Sequence, residues 1–226
     1  MKPFLKKLPL AALAFCSALA VIPPTYAEPP NLTCVKNELK KYHDSGLYEK
    51  DLARVIEKAQ HDINQQARMN EKRKNPKKLA IVLDIDETSL SNYKYMIKRD
   101  FTGTKAEFHQ DVMAANSPAI RPTLSLYNDA IKHGVKVFFI TGRRKPETNA
   151  TVKNLHRAGY HKWAGLYLRP SDYGQRSIIP FKSRTRELIT QKGYTIIATI
   201  GDQYSDIKGG YAEKGYKLPN PYYYLP

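Results

Sequence analysis

The stretch from Lys78 to Asn92 constrains this chain more than any other. An unbroken apolar run, Leu79 to Leu83, leads directly into two acids one residue apart, Asp84 and Asp86. A continuous run of strand formers reads as a strand buried on both faces, as in a parallel sheet. Residues two apart on a strand point the same way. Open α/β sheets bind ligands at the carboxyl ends of their strands, where these two acids fall. Like charges so close repel unless a cation or a proton separates them. The plainer alternative is a turn with two solvated acids, and the context decides between the two.

The chain ahead of this strand reads differently. Lys2, Lys6 and Lys7 precede a mostly apolar run, Leu8 to Ile22, and Thr25-Tyr26-Ala27 offers the small residues a signal peptidase reads. Residues 1–27 are expected to be a secretory signal peptide, cleaved after Ala27. The run is short for a transmembrane span. Phe15 is too bulky for a lipoprotein cleavage box ahead of Cys16. A secreted or periplasmic protein without a stable membrane anchor is therefore expected. Cleavage leaves Cys34 as the one cysteine, which excludes an intramolecular disulfide. The remaining length suits one domain with a sizeable core. The formal charge of the whole chain is +16, so its partners are expected to be anions. The dense run Lys72-Arg73-Lys74-Asn75-Pro76-Lys77-Lys78 reads as a solvated linker, and no specific nucleic-acid partner is expected.

Residues 28–78 are expected to form an N-terminal helical segment. Leu52, Val55, Ile56, Ala59 and Ile63 fall on one face of a long helix over 48–69, which should pack against the domain or a partner chain. After the strand at 79–85, residues 91–118 break the α/β rhythm with Tyr93, Tyr95, Phe101 and Phe108. An insertion placed there is expected to act as a small cap, with a short helix over 105–115. Regular alternation follows. Helices are predicted over 122–133, from Pro146 to Arg157 and from Pro180 through Ile189. Strands are predicted over 135–140, 165–168, 194–200 and 215–218. Such alternation means a parallel, doubly wound sheet with right-handed crossovers.

In that architecture the strand ends share one edge. Asp84 and Asp86 end the first strand, Thr141 and Gly142 the second, and Asp202 and Asp206 the fourth, while Lys182 opens the helix before it. Four carboxylates, one ammonium and one hydroxyl suit a divalent cation and a phosphate. Carboxylate oxygens favour Mg²⁺, one per site. The expected metal set is Asp84, Asp86, Asp202 and Asp206, with the side chain of Asp86 held off the ion. Thr141, Gly142, Arg143 and Lys182 are expected at the phosphate, helped by backbone N–H groups at Glu87 and Gly142. For Arg143 a surface salt bridge is the competing reading. Asp84, nearest the rigid strand, is the expected nucleophile. Asp86 is the expected acid and then base, and Thr141 and Lys182 complete the catalytic set. Since Asp86 must start protonated, an acidic optimum is expected.

These residues resemble a known family. Asp84-Ile85-Asp86-Glu87-Thr88 is similar to the first motif of haloacid-dehalogenase (HAD) phosphatases, and Ile140-Thr141-Gly142-Arg143 to the second. Lys182 fits the third, and Gly201-Asp202-Gln203-Tyr204-Ser205-Asp206 the fourth. Thr151 to Leu155, Ala158 to Trp163 and Lys217 to Pro221 narrow the resemblance to exported acid phosphatases of subfamily IIIB. That branch includes plant vegetative storage proteins and bacterial class B and class C acid phosphatases. The resemblance covers residues 79–226. It implies a Rossmann-like sheet flanked by helices with a small cap after the first strand, Mg²⁺ dependence and hydrolysis of small phosphomonoesters. Nucleoside monophosphates suit the aromatic cap, where Tyr93, Tyr95 and Phe101 are candidates to grip the leaving group. Some members of the family serve only as storage, so a non-catalytic storage or anion-binding protein is the alternative. The histidines show no paired spacing on a helix face, and none is expected to bind metal. Trp163 and Tyr167 are expected to pack, and Tyr222 to Tyr224 to cover the sheet edge. A homo-oligomer is left open.

Overall fold

The computed structural model of the chain describes residues 28–174 and 176–225. The leader read at 1–27 lies outside the described residues. Two helices come first, α1 (Leu32–Asp44) and α2 (Leu47–Glu71), followed by strand β1 (Lys78–Leu83). The insertion after β1 holds α3 (Tyr93–Lys98) and α4 (Lys105–Ala114). Then come α5 (Arg121–Lys132), β2 (Lys136–Arg144), a 3₁₀ turn (Lys145–Glu147), α6 (Thr148–Arg157) and β3 (Gly165–Arg169). The chain ends with α7 (Ile179–Gln191), β4 (Tyr194–Gly201), α8 (Tyr204–Ile207) and β5 (Gly215–Lys217). From Leu32 onward it forms one unit. No helix among the described residues is long and apolar enough to cross a membrane.

The strands form one parallel sheet in the order β3-β2-β1-β4-β5. β1 is central, and every residue of it after Lys78 is buried. Its alternation divides the core in two. Leu79, Ile81 and Leu83 pack with α2 and α5, while Ala80 and Val82 pack with Ile189 of α7. The chain builds outward from β1 through β2 to β3, then returns to the other side of β1 as β4. The reversal places the crevice between β1 and β4 at a topological switch point, where such sheets bind ligands.

Helix α2 belongs to this core. Tyr48, Leu52, Ile56, Ala59, Ile63 and Ala67 recur at spacings of three and four and are all buried. Each fully buried Leu or Ile contributes about 1.5–3 kcal/mol relative to exposure. The helix ends where Glu71 to Lys77 emerge exposed, so the basic run is a solvated connection into β1. In the insertion, Thr104 and Glu107 form a reciprocal capping box that starts α4. Arg99 and Asp111 close the insertion on itself at 2.5 Å, and His109 ties it to Glu147 at 2.8 Å.

Asp62 joins α2 to β5. Its carboxylate accepts from Lys214 Nζ at 2.5 Å and from Tyr216 Oη at 2.7 Å. Those two bonds, Lys214 first, hold the Asp62 carboxyl down at about 2, against an ordinary 3.8. A depressed carboxyl stabilises the fold above its ordinary value and loses that contribution as pH falls through its folded value. Asp62→Asn is expected to lower the urea midpoint at neutral pH. The gap to the parent should close as pH falls from 3.8 to about 2. A gap that persists unchanged at the acid end counts against the pair.

Candidate active site

β1 delivers Asp84 to the switch point, where its backbone N–H donates to Ile200 O of β4 at 3.0 Å. The chain then turns sharply. The N–H groups of Ser89 and Leu90 both donate to Ile85 O at 2.8 Å, and Ser89 Oγ donates to Asp84 O at 2.6 Å. β4 delivers Asp202, and the short helix α8 delivers Asp206. Gly201 makes room for it, since a Cβ there would lie 2.2 Å from atoms of the Asp206 side chain. The Asp206 carbonyl is held by Arg186 Nη1 at 2.9 Å and Thr199 Oγ1 at 2.8 Å.

Asp84, Asp202 and Asp206 are buried, and each presents a carboxylate oxygen within 4.8 Å of the others. No histidine belongs to this cluster. Lys182, 5% exposed, reaches in from the first turn of α7. Its ammonium donates to Asp84 Oδ1 at 2.7 Å and to Asp206 Oδ1. Burial opposes the charge on Lys182, but Asp206 and Asp84 outweigh it and raise its pKa. Burial, then the neighbouring Asp206, push the Asp84 carboxyl well up, against the pull of Lys182. Burial and Asp206 also raise Asp202, although Asn220 and Gln203 each donate to its Oδ2 at 2.7 Å. Thr88 Oγ1 donates to the other Asp202 oxygen at 3.0 Å. Three buried carboxylates around one ammonium lack positive charge. Their hard oxygens fit a divalent cation, which would reverse the forces that now favour protonation of Asp84 and Asp202.

The carboxylate of Asp86 is not in that cluster. It faces Arg143, which donates from Nη2 to Oδ1 at 2.7 Å and from Nε to Oδ2 at 3.0 Å. Asn92 Nδ2 adds a third donor at 2.8 Å. Burial would raise the Asp86 carboxyl, but Arg143 and Asn92 outweigh it and hold it below the ordinary value. Without substrate, Asp86 therefore sits as an ion-paired carboxylate and must gain a proton before it can act as the expected acid. The surface salt bridge weighed for Arg143 is in fact buried, with Arg143 4% exposed and a further bond from Nη1 to Thr151 Oγ1 at 3.3 Å. β2 runs on past the predicted 135–140 to Arg144, so Thr141 lies buried within it, and its Oγ1 accepts from Arg143 N at 3.1 Å. Gly142 follows it, half-buried beside Ile178. The Glu87 N–H, expected at a phosphate, donates instead to Leu90 O at 2.8 Å.

Several site residues have side-chain roles that the sequence pattern does not show, although Glu87 stands in the first motif. Glu87 is 2% exposed, and its carboxyl is pushed up to about 8 by burial and by Asp86. It accepts from Tyr223 Oη at 2.6 Å and Asn92 N at 2.7 Å. Asn220 lies in a string that carried the resemblance, but its bond to Asp202 depends on the return of the C-terminus to β4. The aromatic residues gather beside the insertion. Phe101 stacks on Tyr222 with centroids 5.9 Å apart, and Tyr93 stacks on His43 at 3.3 Å and donates to Asp44. Tyr95 lies under Lys94 Nζ. Trp163 packs edge-on against Phe139 in the core, and Tyr167 accepts from Lys192.

Comparison with known proteins points the same way. The family model for the HAD superfamily, subfamily IIIB (acid phosphatase), matches residues 13–226. Acid phosphatase 1 of Solanum lycopersicum is 37% identical over 148 residues, 64% of this chain and 58% of that protein. The stem 28 kDa glycoprotein of Glycine max is 37% identical over 150 residues, 64% and 59% of the two chains. Vegetative storage protein 2 of Arabidopsis thaliana is 32% identical over 149 residues, 64% and 56% of the two chains. The chain thus spans about three fifths of the length of these relatives. The class C acid phosphatase from Bacillus anthracis shares the fold, with a TM-score of 0.68 at 23% identity over 84% of this chain and 86% of that one.

A ligand that binds only the folded state stabilises it by about 2.7 kcal/mol at a hundredfold excess over its dissociation constant. Millimolar Mg²⁺ is therefore expected to raise the melting temperature above that in chelator, and Asp202→Asn to lose most of the rise. A parental melting curve that does not move between the two conditions would sink the reading of the three carboxylates as a cation site.

Proposed function

The chain belongs to the HAD superfamily, subfamily IIIB (acid phosphatase), and from that premise we propose that it is an exported, Mg²⁺-dependent acid phosphatase of small phosphomonoesters. The observation that carries this reading is the meeting of Asp84, Asp202 and Asp206 around Lys182, with Asp86 held beside them. Export rests on the leader at residues 1–27.

Asp84 is the nucleophile. Lys182 fixes one of its oxygens, which orients the carboxylate without rotational freedom. A carboxylate oxygen bonds to phosphorus as the ester P–O bond breaks, giving an aspartyl phosphate and a leaving oxygen that takes a proton from Asp86. Asp86 then takes a proton from water, and that water bonds to phosphorus as the acyl-phosphate bond breaks. Phosphate leaves, and Asp84 is restored. The Arg143 pair favours the carboxylate form of Asp86, so Asp86 enters the cycle by taking a proton from solvent against that pair, gives it to the leaving oxygen, and regains one from the attacking water. Mg²⁺, held by Asp84, Asp202 and Asp206, would supply the positive charge that lets a carboxylate approach an anionic ester. Thr141 and Gly142, in the C-terminal half of β2, are the proposed phosphate-facing groups, while Arg143 is engaged by Asp86. The aromatic residues of the insertion, Phe101 among them, suit an aromatic leaving group such as a nucleoside.

The relatives named as storage proteins motivate a second, non-catalytic reading. The full set of Asp84, Asp86, Lys182, Asp202 and Asp206 in this chain weighs against it. Turnover of p-nitrophenyl phosphate is expected with Mg²⁺ and lost with chelator. Asp84→Asn is expected to remove turnover by several orders of magnitude while leaving the melting temperature close to that of the parent. Parental turnover in that variant would refute the aspartyl phosphate route.

A further inference from the structure

Glu87 follows the acid of the proposed proton transfer and takes no part in the chemistry, yet its buried carboxyl gathers three donors, two from nearby Asn92 and one from Tyr223 near the C-terminus. Oε1 accepts from Asn92 N at 2.7 Å, and Oε2 accepts from Asn92 Nδ2 at 3.3 Å and from Tyr223 Oη at 2.6 Å. Asn92 begins the 91–118 insertion. Its amide is fully used: Nδ2 also donates to Asp86 Oδ1 at 2.8 Å, and Oδ1 accepts from Ser117 Oγ at 2.7 Å. Ser117 ends the insertion and is fixed in turn by Asn154, whose Oδ1 accepts from Ser117 N at 3.0 Å and whose Nδ2 donates to Ser117 O at 2.7 Å. One amide thus joins the two ends of the insertion to each other and to Asp86.

Tyr223 brings in the C-terminal segment. Its carbonyl accepts from Gln203 Nε2 at 3.3 Å, and the N–H of Leu225 donates to Gln203 Oε1 at 3.1 Å. Gln203 also donates to Asp202. The hydroxyl of Tyr223 is the bond that carries this segment across to Glu87. Glu87 itself adopts φ 54, a left-handed conformation that costs a non-glycine residue. The side chain is therefore held by its bonds rather than by backbone preference.

We propose that Glu87 is a positioning residue: it fastens the start of the insertion and the C-terminal segment to the loop that carries Asp86, and so sets the Asp86 carboxylate for proton transfer. The kinetic part rests on the phosphatase reading above. The mechanical part does not, since it concerns only which segments are tied together.

The two parts are tested together with Tyr223→Phe, which removes a single oxygen, and with Glu87→Ala and Glu87→Gln. Steady-state kinetics on p-nitrophenyl phosphate and amide hydrogen exchange across 91–118 and 219–225 are measured on each. Tyr223→Phe is expected to lower kcat about tenfold and Glu87→Ala about a hundredfold, with KM changed less than about threefold, because no phosphate-facing group is touched. Glu87→Gln keeps an acceptor and is expected to recover part of the loss. Because Tyr223 acts through Glu87, adding Tyr223→Phe to Glu87→Ala should cost nothing further. Exchange should rise in both segments. Parental kcat in Tyr223→Phe, or losses that multiply in the double variant, would overturn the inference. A parent protein that turns over no phosphomonoester fails the phosphatase reading instead. Exchange then decides the mechanical part alone, and parental exchange in Tyr223→Phe overturns it.

Discussion

The structure depends on one ammonium. Lys182 sits between Asp84 and Asp206, and all three are nearly sealed from water. Two carboxylates about 4 Å apart repel by roughly 4 kcal/mol at an effective dielectric of 20. A sheet edge that collects three of them therefore needs a cation built into the fold. Lys182 arrives on the first turn of α7, whose apolar side packs on β1 and β2 through Ile189. The charge balance of the site and the packing of one sheet face thus share a helix. Arg186, one turn further on, holds the carbonyls of Asp206 and Gly210, so the same helix also fixes the loop that presents Asp206.

The site runs against the charge of the chain around it. Among the described residues, the acids Asp84, Asp86, Glu87, Asp202 and Asp206 are met by direct ion pairs from Lys182 and Arg143 alone, within a chain of formal charge +16. The distant charge draws anions toward the molecule. The local deficit suits a divalent cation in the crevice. Both effects are needed if an anionic ester is to approach a carboxylate nucleophile. The two cations are also kept apart in task. Lys182 is bound to the Asp84 cluster, and Arg143 to Asp86, so the carboxylates proposed to attack and to shuttle protons experience opposite pressures on their protonation.

The strand ends were legible because each rests on a local pattern plus one rule. Apolar runs ending at Asp84, Thr141 and Asp202 read as buried strands, and parallel connection places their ends together. The amphipathic face of α2 was legible for the same reason, while its partner, α5, was not, since periodicity shows that a face is buried but not against what. Arg143 was ambiguous because one residue type serves both phosphate and carboxylate, and only the approach of Asp86 decides which it meets. The partners of Asn92, Asn220 and Tyr223 were not legible. The value of these three residues lies in partners brought close by the insertion and the returning C-terminus, and an asparagine or tyrosine in a loop has no spacing signature. The N–H of Glu87 was misread because a turn that tight consumes its own donors.

That turn explains why a carboxylate stands where a glycine would be conformationally easier. A non-glycine residue at φ 54 costs on the order of 1 kcal/mol. Glycine would relieve the strain and still allow Glu87 N to donate to Leu90 O. It would also leave Tyr223 Oη and Asn92 N without acceptors inside a dry site, and an unmet buried donor costs about 1–3 kcal/mol. Two such losses exceed the strain relieved. The conformation is therefore sustained by the side chain it displays, and the bend after β1, the start of the insertion and the C-terminal segment are stable only as a set.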